Sequence, residues 1–250
     1  MNLNPIPKVL SSLLEHQVRY LLMGGQACVL YGAAEFSRDT DIAILADEEN
    51  AARLKEALSA LNAEVIAVPP FELKYLLAGH AVHFRCLHPQ AAGMRVDVMA
   101  QLRGVDPFPF LWERRTTLQL PDGTTCELLS LPDLVQAKKT QRDKDWPMIR
   151  RLLETHYFAH CGNPTMPQVL FWAKELRTPE LLIELASHQA ALIQESIPTR
   201  SLLEFALAGD EARIIAALAE EERIEREKDR LHWLPLKLEL ERMRRNRPVA

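Results

Sequence analysis

The segment RYLLMGG at residues 19–25, together with DTDIAI at residues 39–44, decides the interpretation of the fold. The first is a short apolar run that stops at two glycines, which is typical of a buried strand ending in a tight turn. The second alternates polar and apolar side chains, which indicates a strand with one buried face. Residues 26–32 between them favour a short helix. The stretch therefore predicts a strand, a turn, a helix and a second strand, the beginning of an α/β domain.

Helix and strand patterns continue on both sides of this stretch. Apolar residues recur at helical spacing in residues 1–17 and 47–60, and Asp47 is a suitable N-cap for the second of these helices. A Pro- and Gly-containing loop separates the last two β-rich runs before residue 101, so we predict that these two runs form a hairpin. The further strands are expected at residues 64–68, 81–87, 95–100, 117–120 and 126–129.

The C-terminal part of the chain has a different pattern. From Leu131 onward the periodicity is helical, and residues 208–247 are highly charged, with opposite charges at i, i+4 spacing. We therefore predict two domains. Residues 1–158 form an α/β (α+β) domain with a mixed β-sheet flanked by helices, and residues 159–250 form an all-helical C-terminal module.

Composition narrows the class of protein. The chain has 250 residues, 48% of them hydrophobic, and a net charge of −4, which argues against a protein that binds polyanions over its whole surface. Its uncharged apolar stretch at residues 20–34 is shorter than the ~20 residues that cross a bilayer. The first residues lack the basic and apolar segments of a secretory signal, so we expect a cytoplasmic protein that does not bind membranes.

Two aspartates in the second strand are the strongest candidates for a functional site. Asp39 and Asp41 lie two residues apart, so a strand directs both carboxylates to one face and Thr40 to the other. Adjacent carboxylates repel each other, and a divalent cation removes the repulsion. Oxygen ligands suit Mg²⁺. Asp97, between two valines in a later strand, completes a set of three carboxylates if that strand lies beside the first.

Glycines and basic residues complete the predicted site. Gly24 and Gly25 allow the backbone to approach a phosphate where a helix begins. A glycine pair on such a turn, followed by Asp-x-Asp on a strand, is more specific than either feature alone. Two other groups, His80, His83, Cys86 and His88 and then His156, His160 and Cys161, lack the paired spacing of zinc ligands, and we do not expect them to bind metal.

These motifs resemble a known superfamily. Met23-Gly24-Gly25 followed after thirteen residues by Asp39-Thr40-Asp41-Ile42 is similar to the signature of DNA polymerase β-like nucleotidyltransferases, and Asp97 matches their later acidic strand. The chain is most similar to the small bacterial members, including the toxin/antitoxin-associated AbiEii-like and MNT-like groups. Those proteins often carry Leu-Pro-x-x-Leu followed by a basic helix, which resembles residues 131–134 and 138–145 here.

The resemblance implies a reaction and roles for the residues. A nucleoside triphosphate, for example ATP, would bind with Mg²⁺ or Mn²⁺, and an acceptor hydroxyl would attack the α-phosphorus as pyrophosphate leaves. Asp39, Asp41 and Asp97 would be the catalytic residues and the metal ligands. The residues that would bind the nucleotide are Gly24, Gly25, Arg38, Lys138, Lys139 and Arg142. Arg95, on the strand of Asp97, could also reach phosphate.

The acceptor and the partners remain open at this point. RNA, in particular tRNA, a protein or a small molecule are the acceptor classes, and the C-terminal helices could form a homodimer or select the acceptor. The basic stretch from Lys138 to Lys144 has a second interpretation as a solvated helix face.

Two departures from the family pattern motivate an alternative function. Thr40 stands between the acids, where the family usually has an aliphatic residue. Many relatives read Arg-x-Thr-x-Asp-h-Asp, and an alignment anchored on Thr40 leaves one acid and places alanine at the other position. An alignment anchored on the glycine pair keeps Asp39 and Asp41 together. The alternative is a catalytically degenerate protein of this fold that acts as a binding or antitoxin-like partner.

Overall fold

The computed structural model describes residues 5–120 and 123–246. The strands in these residues are β1 (Tyr20–Met23), β2 (Asp39–Ile44), β3 (Ala63–Val65), β4 (Val82–Cys86), β5 (Arg95–Met99), β6 (Thr116–Gln119) and β7 (Thr125–Leu128). The helices are α1 (Ile6–Glu15), α2 (Gly24–Leu30), α3 (Glu48–Ala60), α4 (Leu73–Leu77), α5 (Phe108–Glu113), α6 (Leu131–Ala137), α7 (Asp145–His160), α8 (Met166–Glu175), α9 (Pro179–His188), α10 (Ala190–Ser196), α11 (Leu203–Leu207) and α12 (Glu211–Arg245).

The seven strands form one mixed sheet in the order β3-β4-β5-β2-β1-β7-β6. β2 pairs in parallel with β5, and β1 pairs in parallel with β7, whereas the other neighbours are antiparallel. The predicted hairpin of β4 and β5 is confirmed. The predicted class, a mixed α/β sheet with helices followed by a helical C-terminal stretch, is also confirmed.

The central strands carry the core of the sheet. β1 is buried at all four positions, as expected for a strand that has neighbours on both sides and is covered on both faces. In β2 the alternation is visible as burial, because Thr40 and Ile42 are fully buried while Asp39 and Asp41 are part-exposed. The same alternation places both aspartates on the face opposite to Thr40.

Helix α3 shows how a local signal sets an element's start. Asp47 precedes it in extended conformation, and its side chain accepts a hydrogen bond from the backbone N–H of Asn50, so the predicted N-cap is confirmed. The short helices α4 and α5 were not predicted, because about one turn of helix is too short to show a hydrophobic period.

The chain divides into two compact units. The first consists of the described residues within Met1–Leu30, Ala34–Ala137 and His232–Ala250, and it contains the sheet. The second consists of Tyr31–Ala33 and Lys138–Leu231 and is helical, with Trp172, Leu153 and Leu182 in its core. The predicted boundary at residues 158 and 159 falls inside α7, whereas the main divisions between the units lie between Ala137 and Lys138 and between Leu231 and His232. In residues 5–120 and 123–246 there is no helix with the length and apolar character needed to cross a bilayer.

Candidate functional site

The three predicted aspartates come from two neighbouring parallel strands. Asp41 on β2 is the direct partner of Asp97 on β5, and Asp39 is the partner of Arg95. Paired residues of adjacent strands lie ~4.8 Å apart and point to the same face. The structure therefore brings Asp39, Asp41 and Asp97 to one face of the sheet, in the arrangement that the sequence predicts for adjacent strands.

Asp97 is the most enclosed of the three and is fully engaged by neighbouring side chains. Its two carboxylate oxygens accept hydrogen bonds from Nε and Nη2 of Arg95, both at 2.7 Å. Nδ1 of His83 lies 2.9 Å from Oδ1. Burial of the carboxyl acts to raise its pKa, but the hydrogen bonds from His83 and Arg95 outweigh burial, so the pKa of Asp97 is lowered. Asp97 is therefore ionised at neutral pH.

His83 is a member of the site that the sequence interpretation missed. It lies on β4 directly opposite Asp97. Since an ionised carboxylate only accepts hydrogen bonds, Nδ1 of His83 carries a proton in this contact, and Nε2 is the ring nitrogen that does not contact Asp97. The signal that could have found His83 is the predicted hairpin, because its pairing places a residue of β4 beside Asp97.

Arg95 is the cation at the centre of the cluster. The hydrogen bond to Asp97 raises the pKa of Arg95, and the negative charges of Asp97, Asp39 and Asp41 raise it further. One guanidinium group thus interacts with three carboxylates. The sequence suggests that Arg95 could reach phosphate, but in the structure its guanidinium group pairs with the carboxylate of Asp97 on the same strand.

The glycine turn is needed to make room for the cluster. Gly24 has a φ of +66°, and a Cβ there would lie 2.5 Å from Cγ of Asp41. A Cβ on Gly25 would lie 2.6 Å from Oγ of Ser37, in the segment that leads into β2. These close approaches show what the two glycines do within the protein. Their predicted contact with phosphate stays a prediction.

The predicted basic helix at residues 138–145 is wrong. Residues 138–144 form the connection between α6 and α7, and Asp145 begins α7. The side chain of Asp145 is buried and accepts hydrogen bonds from Lys138 at 3.4 Å, Thr140 at 2.6 Å and Arg142 at 2.7 Å. Convergence on this buried carboxylate holds the connection in a non-helical conformation.

The basic residues predicted to bind nucleotide lie in both units. Lys138 is buried against Asp145, Arg142 pairs with the same carboxylate, and Lys139 pairs with Glu175 at 2.7 Å. The interpretation of residues 138–144 as a solvated helix face is therefore also wrong. Arg38 is exposed and immediately precedes β2. The role of these residues in nucleotide binding stays a prediction.

The donor chemistry of the cluster fits a hard divalent cation. Three carboxylates on one face supply the oxygen ligands that Mg²⁺ and Mn²⁺ prefer. In residues 5–120 and 123–246, no group of three or more His, Cys, Asp or Glu side chains is arranged so that it could hold a metal ion. Since both oxygens of Asp97 accept from Arg95, a metal ion that binds this carboxylate would have to share it with the guanidinium or displace the guanidinium.

Comparison with known proteins does not assign the chain to a family. No family model matches the chain, and no curated protein is similar to it. The assignment of function therefore depends on the residues of the aspartate cluster and on their surroundings.

Proposed function

We propose that the chain is a nucleotidyltransferase that uses a divalent cation to transfer a nucleoside monophosphate from a nucleoside triphosphate to a hydroxyl acceptor. The observation that supports it best is the register of β2 and β5, which brings Asp39, Asp41 and Asp97 together beside the Gly24 turn. Three carboxylates concentrated on one face are costly unless cations neutralise them, and Arg95 supplies one positive charge for the three. A site that collects phosphate oxygens and metal gives that arrangement a use.

The residues divide the work by position. Asp39 and Asp41 are part-exposed and would hold Mg²⁺ or Mn²⁺, with Asp97 as a third ligand. The bound cation would neutralise charge that develops on the triphosphate during transfer. Arg38, exposed at the entrance to β2, would add a guanidinium for phosphate. Holding these groups in place is the main contribution that the protein makes to such a reaction.

His83 gives the acceptor side of the site a polar group. Its Nδ1–H is held by Asp97, so Nε2 is the ring nitrogen that would form a hydrogen bond with a hydroxyl group. This supports a hydroxyl acceptor, which belongs to an RNA, a protein or a small molecule. The proposal therefore assigns His83 to orientation of the acceptor, next to the aspartates.

A second candidate function is supported by the Arg95–Asp97 pair. An arginine that binds both oxygens of the third aspartate already neutralises part of the cluster. A protein that kept this fold as a binding or antitoxin-like partner would need no metal at Asp97. The two candidates differ in whether nucleotide binding depends on a divalent cation.

The experiment that tests the proposal is calorimetric titration with α,β-methylene analogues of ATP, GTP, CTP and UTP, with and without Mg²⁺. We expect one or more analogues to bind only with Mg²⁺. The double variant Asp39→Asn/Asp41→Asn should abolish this binding without unfolding the protein. A charge-matched control, Asp143→Asn/Asp210→Asn, changes two acids of the helical unit and should bind as wild type does.

The contrary results are equally clear. Absence of binding at millimolar analogue, or binding that is equal with and without Mg²⁺, would favour the non-catalytic partner. Unchanged binding by the Asp39/Asp41 double variant would remove these residues from the site.

A further inference from the structure

We infer that Arg95 is an exchangeable counter-ion, which pairs with Asp97 in the structure and exchanges this carboxylate for a phosphate group when a divalent cation and a nucleotide bind together. The inference rests on the proposed function and extends it. It assigns Arg95 two opposite effects, a weaker binding of the divalent cation alone and a tighter binding of the nucleotide. It arises from the contacts of Arg95.

The first argument is geometric. Nε and Nη2 of Arg95 donate to the two separate oxygens of Asp97, both at 2.7 Å, which is the two-pronged pairing of a guanidinium with a carboxylate. A cation that uses Asp97 as a ligand binds one of the same oxygens and draws on the same negative charge. Arg95 and a metal ion therefore compete for one group.

The second argument is electrostatic. The charges of Asp97, Asp39 and Asp41 all stabilise the positive charge of Arg95. The guanidinium therefore supplies to the cluster the same kind of neutralisation that a divalent cation would supply. A site that is already partly neutralised attracts a metal ion less strongly than the bare carboxylates would.

The third argument concerns where the guanidinium goes. The Arg95 side chain is 39% exposed, whereas that of Asp97 is only 12% exposed, so Arg95 can turn toward solvent while Asp97 stays in place. The same two-pronged geometry fits phosphate oxygens as well as carboxylate oxygens. A triphosphate that enters with the cation offers Arg95 a new partner at the moment when it loses the old one.

The consequence is a coupling between the two ligands. Cation binding alone weakens or breaks the Arg95–Asp97 pair with nothing to replace it, whereas a triphosphate that binds with the cation gives Arg95 a new partner. Each ligand should therefore raise the affinity of the protein for the other, as linkage requires.

The test uses Arg95→Gln and measures two affinities by calorimetry, with water-proton relaxation as a second readout of bound Mn²⁺. Without the guanidinium, Mn²⁺ alone should bind about 10-fold more tightly, since no pair has to be broken. In saturating Mn²⁺, the α,β-methylene analogue that wild type prefers should bind about 10-fold more weakly, since a contact to phosphate is lost. A general loss of structure would weaken both, so opposite signs identify the exchange.

Arg85→Gln is the matched control. Arg85 lies on β4 as the direct partner of Arg95, it is exposed, and its removal changes the net charge by the same amount. It should alter either affinity clearly less than Arg95→Gln does, because Arg85 forms no hydrogen bond or ion pair with the three aspartates among the described residues. A shift in Arg85→Gln as large as that in Arg95→Gln would reduce the effect to general charge and overturn the inference.

Arg95→Lys covers the case in which Arg95→Gln does not fold. Lysine keeps the charge but loses the fork, so it should shift both affinities in the same directions by smaller factors. If these variants and wild type bind Mn²⁺ with equal affinity, the exchange is overturned while the metal site stands. If wild type and both variants bind no Mn²⁺, the proposed function fails and the exchange fails with it.

Discussion

Thr40 lies between the two acids of β2 and its side chain points to the other face of the sheet. It is fully buried, and its hydroxyl has no hydrogen-bond partner among the described residues. A buried hydroxyl without a partner costs free energy that an apolar group of the same shape does not. The nucleotidyltransferases that the sequence resembles usually have an aliphatic residue at this position, and such a residue would therefore also fit here.

We expect Thr40→Val to stabilise the protein by about 1 kcal/mol, because it replaces the unpaired hydroxyl with a methyl group. Urea unfolding measures the change. Thr117→Val is the control on an outer strand, because there the hydroxyl donates to Glu127 at 2.6 Å and its removal should not stabilise. Destabilisation by Thr40→Val would mean that the Thr40 hydroxyl does have a partner.

Gly24 is a position at which the addition of a single carbon atom should have a large effect. Gly24→Ala should unfold at lower urea and lose divalent-cation binding, because its Cβ would displace the carboxylate of Asp41. Gly93→Ala provides the comparison, since Gly93 also has a positive φ of +79° but has nothing within 4 Å of an added Cβ. It should cost about 1 kcal/mol of backbone strain and keep metal binding. Equal effects of the two variants would contradict the role given to Gly24.

At the scale of elements, the strands were predictable and the contacts of the charged side chains were not. Alternation in DTDIAI and the loop before Arg95 sufficed to predict β2, β5 and the hairpin. By contrast, Arg95 and Asp97 lie two residues apart on one face of a strand. Whether the guanidinium of Arg95 pairs with a carboxylate or with a ligand depends on tertiary packing, which a local sequence pattern does not predict.

The connection between α6 and α7 shows why a helical charge pattern can mislead. The backbone N–H of Gln141 donates to Asp229 at 2.9 Å, and the indole of Trp146 donates to the carbonyl of Thr140 at 2.8 Å. Both contacts join residues that are distant in sequence or fixed by burial. Tertiary contacts therefore override the helical preference of residues 138–144.

Asp145 is the anchor of that connection, and its removal should be costly. Asp145→Asn should lower the free energy of unfolding by about 3 kcal/mol, because buried Lys138 loses its charged partner. Asp143→Asn, a change at a fully exposed neighbour, should cost less than about 1 kcal/mol. Chemical denaturation of both variants at pH 7 tests the difference. Equal costs would show that burial of the Asp145 pair contributes nothing.

The same residue predicts a dependence on pH. Burial acts to raise the pKa of Asp145, but Lys138, Thr140 and Arg142 outweigh it, so the pKa is lowered from its ordinary value of 3.8. A carboxyl with a lowered pKa stabilises the folded state above its ordinary pKa, and this contribution is lost as the pH falls through the lowered value. The difference in unfolding free energy between wild type and Asp145→Asn should therefore shrink below about pH 4. A constant difference down to pH 2 would contradict this.

At the scale of the whole molecule, the reactivity of the four cysteine thiols measures how readily the folded chain opens. Cys161 is exposed, whereas Cys28, Cys86 and Cys126 are buried. Burial raises the pKa of Cys86 to about 11 and that of Cys126 to about 12, which further reduces the reactive thiolate.

We expect Ellman's reagent to modify one thiol rapidly in the native protein and all four in urea. Cys161→Ser should remove the rapid phase. The slow phase then measures opening of helix α2, which carries Cys28, and of the strands that carry Cys86 and Cys126. A second rapid thiol in the native protein would show that one of these three elements opens independently.

The pairing of β2 with β5 also sets an order of assembly. Residues 45–94 separate the two strands, and they contain α3, α4, β3 and β4. Contacts between such distant segments form slowly, because the intervening chain must first be closed into a loop. A growing or truncated chain that stops before residue 95 carries Asp39 and Asp41 but has neither Asp97 nor Arg95. The metal and nucleotide binding that we propose should thus be among the last properties to arise during refolding, after most of the helical signal has returned.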